Sequence, residues 1–182
     1  MLLVVMAGQP LAAQDTLVST GSVWKYLDNG SDQGTAWRAA GFDDSGWVSG
    51  PAEFGYGDGD EATVVSFGPS SSNKYVTTYF RHTFSVSNPS TYTTVALKVL
   101  RDDGAVVYLN GTEVFRTNMP DGPITSKTFA SSAVGGAAED QFNETAIDPG
   151  NLVAGANVLA VEVHQSDLTS SDVSFDLSLA GT

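Results

Sequence analysis

Glu162 and His164 stand two positions apart in the stretch VLAVEVH, so on an extended chain a carboxylate and an imidazole share one face. That pair, or Asp102 set against Glu162 as two carboxylates, is the best acid–base equipment this chain offers. Neither comes with a nucleophile elbow, a phosphate-cradling glycine loop or a metal triad. With no Cys there is no thiol nucleophile, thiolate zinc site or disulfide framework. Two His in all, His82 and His164, leave little for a His-rich metal centre. The expectation is a protein that is not an enzyme.

Binding chemistry is better supplied. Arg81, Asp102, Asp103, Arg116, Asn118, Glu162, His164 and Asp172 fall on the non-core phase of strand-like segments or beside their ends. Gathered on one face or rim, such groups hydrogen-bond sugar hydroxyls, while Tyr56 or Tyr79 covers the apolar face of a ring. The same residues serve equally well as Arg–carboxylate struts around the Asp102-Asp103-Gly104 turn. Trp24, Trp37 and Trp47 fit stacking platforms or core anchors, with the core the expected place. Trp37 adjoins Arg38, a possible cation–π pair. Tyr56 and Tyr75, in loop-like sequence, are the expected exposed rings.

Oxygen-rich turns suggest calcium. Asp28, Asn29, Ser31 and Asp32 form one such stretch, and Asp58, Asp60 and Glu61 another. Neither follows EF-hand spacing, and solvated turn residues explain both equally. No cofactor is required, and one structural calcium ion is an expectation to test.

These side chains must be positioned by strands, because helical periodicity is hard to find. Short alternating segments recur between Gly, Pro, Asn, Asp and Ser clusters, which marks an all-β sandwich. The segments are 75–86 (YVTTYFRHTFSV), 93–100 (TTVALKVL), 105–109 (AVVYL), 112–116 (TEVFR), 158–164 (VLAVEVH) and 173–179 (VSFDLSL). Asn110-Gly111 joins two of them in a hairpin, since both turn positions need positive φ. Residues 54–73 and 126–143 read as weakly patterned loops. Residues 1–13 (MLLVVMAGQPLAA) read as a signal-like apolar leader or an uncleaved docking arm, and 14–182 as one domain. The apolar stretch is too short for a membrane span.

Eight Lys and Arg against 21 Asp and Glu give a formal charge of −13. The basic residues nowhere cluster, which argues against nucleic acid or an anionic membrane as partner.

An ordered series of motifs resembles a bacterial secreted jelly-roll family related to galactose-binding-like domains, and the sugar-binding domain of family 2 glycosidases. It comprises 42–47 FDDSGW, 55–58 GYGD, 79–81 YFR, 102–111 DDGAVVYLNG, 116–120 RTNMP and 155–165 GANVLAVEVHQ. The resemblance implies an all-β, jelly-roll β-sandwich fold and says far less about activity. Combined with the composition, it leads to an extracellular, non-catalytic association protein at a bacterial cell surface or matrix. The foremost expectation is a structural or adhesive subunit that self-associates into a filament or layer. The alternative is a carbohydrate-binding module recognising an extracellular glycan, with or without calcium support.

Overall fold

The β-branched and aromatic runs do extend as strands. The computed structural model describes residues 14–182, so the leader at 1–13 lies outside the described residues. Twelve strands follow in order: β1 (Asp15–Val18), β2 (Val23–Leu27), β3 (Val48–Pro51), β4 (Phe54–Tyr56), β5 (Thr63–Val64), β6 (Thr77–Val86), β7 (Val95–Asp102), β8 (Gly104–Leu109), β9 (Thr112–Thr117), β10 (Asn143–Ile147), β11 (Gly155–His164) and β12 (Val173–Gly181). Each long segment read from alternation is a strand. The stretch 54–73 is not wholly loop, because it holds β4 and β5; three residues and two residues are too short to show a period.

The strands form two sheets in a jelly-roll sandwich. One runs β10-β7-β12-β4-β5 with β1 also on β12, and the other runs β3-β2-β6-β11-β8-β9. The register of β11 on β6 sets Glu162 opposite Tyr79 and Ala160 opposite Arg81. On its other edge, β11 sets Glu162 opposite Val106 and Ala160 opposite Tyr108. Asn110 takes positive φ in the β8–β9 hairpin, as its Asn-Gly turn requires.

Between the sheets lies the main core, with Trp24, Phe54, Phe80, Phe175 and Leu177 fully buried. Phe80 from one sheet stacks on Phe175 from the other with ring centroids 4.2 Å apart. Each such side chain contributes about 1.5–3 kcal/mol relative to exposure.

A second apolar cluster decides where the polar residues go. Trp37, Tyr79, Val106, Tyr108, Met119, Ala130 and Ala160 pack on the far side of the β11 sheet. Residues of the 28–47 connection, with a 3-10 turn at Ala36–Arg38, and of the connection after β9 supply its cover. Hence β8 is buried at every position, and β11 from Asn157 to His164. Alternation on these strands separates two buried faces, rather than core from solvent.

The chain passes from one sheet to the other at Asp103, between β7 and β8. Gly104 follows because a Cβ there would lie 2.6 Å from Met119 Sδ and 2.8 Å from the Asn118 carbonyl oxygen. No helix of the described residues is long and apolar enough to cross a membrane.

Candidate functional site

The residues expected on one open face divide between two places. The first is the covered face of the β11 sheet. Glu162 accepts the Tyr108 hydroxyl at 2.7 Å and Arg38 Nη2 at 3.1 Å. Its other oxygen faces His164 Nε2 at 3.4 Å. His164 Nδ1 contacts Thr77 Oγ1 at 3.0 Å and the Thr128 carbonyl at 2.7 Å. Thr77 spends its own proton on the Ser126 carbonyl. Both Nδ1 partners are therefore acceptors, so Nδ1 carries a proton. Burial opposes ionisation of Glu162, but His164, the Tyr108 hydroxyl and Arg38 outweigh it and hold the carboxyl below its ordinary value.

Arg81 is buried beside this group. Its Nε meets Asp44 at 2.8 Å, and its Nη1 donates to the carbonyls of Trp37 and Ala39. Lys25 reaches the other Asp44 oxygen at 2.8 Å. Trp37 fills the space above, 4.8 Å from Tyr79 and 5.8 Å from Tyr108 between ring centroids. Arg38 lies over the Tyr108 ring at 4.2 Å, closer than over its neighbour Trp37 at 5.8 Å. Trp37 and Tyr79 thus sit in the covering cluster, and burial raises the Tyr79 phenol to about 12. Glu162 and His164 meet as expected, but they face internal partners. Arg38 of the 28–47 connection and Thr128 of the connection after β9 lie against the pair.

The second place is the loop end where β4, the β7–β8 crossing and the start of β12 converge. Asp103 is fully buried and accepts Val134 N–H at 2.7 Å, Ser166 N–H at 2.6 Å and Ser170 Oγ at 3.1 Å. Asn118 donates to the carbonyls of Asp103 and Ser132. These two residues lash three loops to the crossing. Asp102 is also fully buried, and neither of its oxygens accepts a hydrogen bond. Burial, with Asp172 and Asp103 close by, pushes its carboxyl up to about 10.

Tyr56 is not the exposed ring expected from its loop-like sequence. It belongs to β4, is only 8% exposed, and takes a hydrogen bond from Gln165. Burial raises its phenol to about 12. Phe67 covers it edge-on at 5.5 Å and remains 38% exposed, while Lys74 Nζ lies 4.8 Å above the Tyr56 ring. Tyr75 is half-buried, close against Gly30 and Gly68. Arg116 lies apart on the β9 hairpin, where it pairs with Glu113 at 2.8 Å.

Of the calcium candidates, Asp58, Asp60 and Glu61 do bring ligand oxygens within 4.8 Å of one another. Asp58, Glu139 and Asp172 do the same. Asp28 accepts Ser66 N–H and Asp32 accepts Gly34 N–H, and among the described residues neither joins a cluster of three acidic side chains. Glu139 and Phe67 lie in weakly patterned sequence, and only the folded loops bring them to this end.

No protein-family model matches the chain, and no curated protein matches it. Solved structures do match. A Bacteroides uniformis β-glucuronidase aligns with a TM-score of 0.60 at 17% identity, over 93% of this chain and 18% of its own. A β-glucuronidase from an uncultured Clostridium sp. gives 0.54 at 14% identity, over 98% and 30%. A glycosyl hydrolase family 2 member from Bacteroides cellulosilyticus gives 0.57 at 13% identity, over 91% and 20%. The fold is therefore a jelly-roll β-sandwich of the kind built into family 2 glycosidases. The chain spans less than a third of the length of any of these three.

Proposed function

We propose that this chain is a non-catalytic carbohydrate-binding module of an exported bacterial protein, which holds sugar at the loop end. The observation that carries the reading is Phe67, an exposed ring edge on Tyr56, flanked by Lys74 and by the acidic groups beyond Gly57. An apolar ring beside hydrogen-bonding groups is what a pyranose needs, one face for its C–H surface and donors and acceptors for its hydroxyls. The local excess of carboxylates favours neutral glycans over uronates. The likeness to a small portion of family 2 glycosidases supports a sugar-associated module. The internal commitment of Glu162 and His164 supports one without hydrolysis.

A polysaccharide array with a reducing-sugar assay tests this. The expected result is saturable binding to a neutral glycan without hydrolysis, lost in Phe67→Ala and kept in Arg116→Ala. No binding across the array, or binding unchanged in Phe67→Ala, overturns it.

Self-assembly into a filament or layer is the second reading. It is supported by the outer edges of β3 and β9, which pair with no strand among the described residues. A strictly monomeric species by size-exclusion and negative-stain microscopy, with and without residues 1–13, removes it.

A further inference from the structure

The dipeptide Asn-Gly occurs twice, at Asn29-Gly30 and at Asn110-Gly111. Glycine leaves its nitrogen unshielded by a Cβ, so an asparagine before it is the one most open to attack by the main chain on its side-chain carbonyl. The second dipeptide is locked. Asn110 Nδ2 donates to the Asn151 carbonyl at 2.9 Å and to Asn157 Oδ1 at 2.8 Å. Its Oδ1 accepts the Val158 N–H at 2.9 Å, and its own N–H is held by the Val158 carbonyl. The side-chain carbon of Asn110 cannot swing onto the Gly111 nitrogen without breaking the three bonds of its amide.

The first dipeptide is open. Asn29 and Gly30 are exposed, just beyond the end of β2. Among the described residues, neither Asn29 Nδ2 nor the Gly30 N–H makes a hydrogen bond. Asn29 Oδ1 accepts two donors, the Ser31 N–H at 3.0 Å and Ser31 Oγ at 2.5 Å. These bonds fold the side chain back over its own main chain. They also place two donors where the oxygen gains negative charge when its carbon is attacked. The nitrogen that must leave is the unbonded one.

We propose that Asn29-Gly30 is a self-modification site, whereas the fold holds Asn110-Gly111 intact. The Gly30 nitrogen gives up its proton to solvent and forms a bond to Asn29 Cγ. The Cγ–Nδ2 bond breaks, and the amide nitrogen takes up a proton and leaves as ammonia. Water then adds to either carbonyl of the succinimide ring. Opening one C–N bond leaves aspartate, and opening the other leaves isoaspartate, whose main chain runs through the side-chain carbon. That extra main-chain carbon matters because Gly30 lies against a ring, and a Cβ on it would be 2.3 Å from Tyr75 Cδ1. Tyr75 donates its N–H to the Phe67 carbonyl at 3.0 Å, and Asp28 accepts the Ser66 N–H at 2.6 Å. Isoaspartate at position 29 therefore loosens the 66–75 loop along the side that faces Gly30.

Incubation of the full chain in mildly alkaline buffer made with oxygen-18 water, followed by peptide mapping, tests the site. In the folded chain the peptide holding Asn29 should exchange its amide NH2 for labelled OH at least about tenfold faster than the peptide holding Asn110, which must first break its three bonds. The products should include isoaspartate, and Tm should fall as it accumulates. In urea, where neither amide is held, the two sites should react at similar rates. Asn29→Gln should keep its Tm through the same incubation. Ser31→Ala should slow the reaction at Asn29 in the folded chain and leave it unchanged in urea. The proposal is overturned if Asn110 converts as fast as Asn29 in the folded chain, or if Asn29 stays intact there over a period that converts it in urea. It is equally overturned if folded Ser31→Ala reacts as the parent does, or if the parent's Tm holds while isoaspartate accumulates. No glycan enters the measurement, so its outcome is independent of sugar binding.

Discussion

Tyr108 on β8 donates its hydroxyl to Glu162 on the adjacent β11 at 2.7 Å, and the Arg38 guanidinium lies over the same tyrosine ring. The contact is diagonal in the ladder, since Tyr108 pairs with Ala160. One residue thereby joins the sheet, the covering turn and the buried carboxylate. Tyr108→Phe should lower unfolding free energy by about 1–3 kcal/mol, because it strips a donor from a buried charge. In urea melts, a cycle with Glu162→Gln should show strong non-additivity. Additive effects would mean the two groups act separately.

Asp103 should behave as a loop fastener. Asp103→Ala strands two backbone N–H groups and one hydroxyl, with each buried donor costing about 1–3 kcal/mol. Limited proteolysis should then cut near Val134 and Ser166 faster than in the parent chain. Unchanged cleavage would show that the loops are held by other contacts.

Gly104 and Gly46 form a matched pair. A Cβ at Gly104 collides with Met119 and Asn118, whereas one at Gly46 meets nothing within 4 Å. Gly104→Ala should therefore destabilise by about 1–3 kcal/mol through overpacking, and Gly46→Ala by much less. Equal denaturation midpoints for the two variants would contradict the close approach.

Acid should loosen the cover over the β11 sheet. Burial works against ionised Asp44, but Arg81 and Lys25 prevail and hold its carboxyl below the ordinary value. Glu162 is lowered in the same direction. A carboxyl depressed in the fold contributes stability above its unfolded pKa, and that stability is lost as pH falls through the folded pKa. Tm should accordingly drop as pH falls below about 4, the ordinary range of Asp and Glu. Asp44→Asn should start lower at pH 7 and drop less steeply. A parallel profile for parent and variant would exclude Asp44 from the acid transition.

The long strands were legible because apolar and polar residues alternate at the period of an extended chain, from Thr77–Val86 through Val173–Gly181. The hairpin was legible because Asn110-Gly111 suits only a few turns. Period alone does not reveal a covered second face. A polar residue on the outer phase of β11 reads the same whether water or Trp37 lies above it. For that reason Arg81, Glu162 and His164 read as ligand-binding groups on a face, although the structure covers the first two with the 28–47 connection and His164 with the connection after β9. Glu139 left no signal, since a carboxylate in an unpatterned loop has no period to betray its neighbours.

Composition and alternation by themselves determined an acidic all-β sandwich with few groups suited to catalysis, and the resemblance of its motifs implied the jelly roll. Those motifs include several residues that carry internal polar bonds, among them Arg81, Asp103, Glu162 and His164. Tertiary structure alone decided which carboxylates found cations, which found backbone donors, and which, like Asp102, found neither. That division depends on distances between segments far apart in the chain, from Arg38 to Glu162 and from Asp58 to Ser174. Burial then makes the difference large, because an unpaired charge out of water is far costlier than the same charge on the surface.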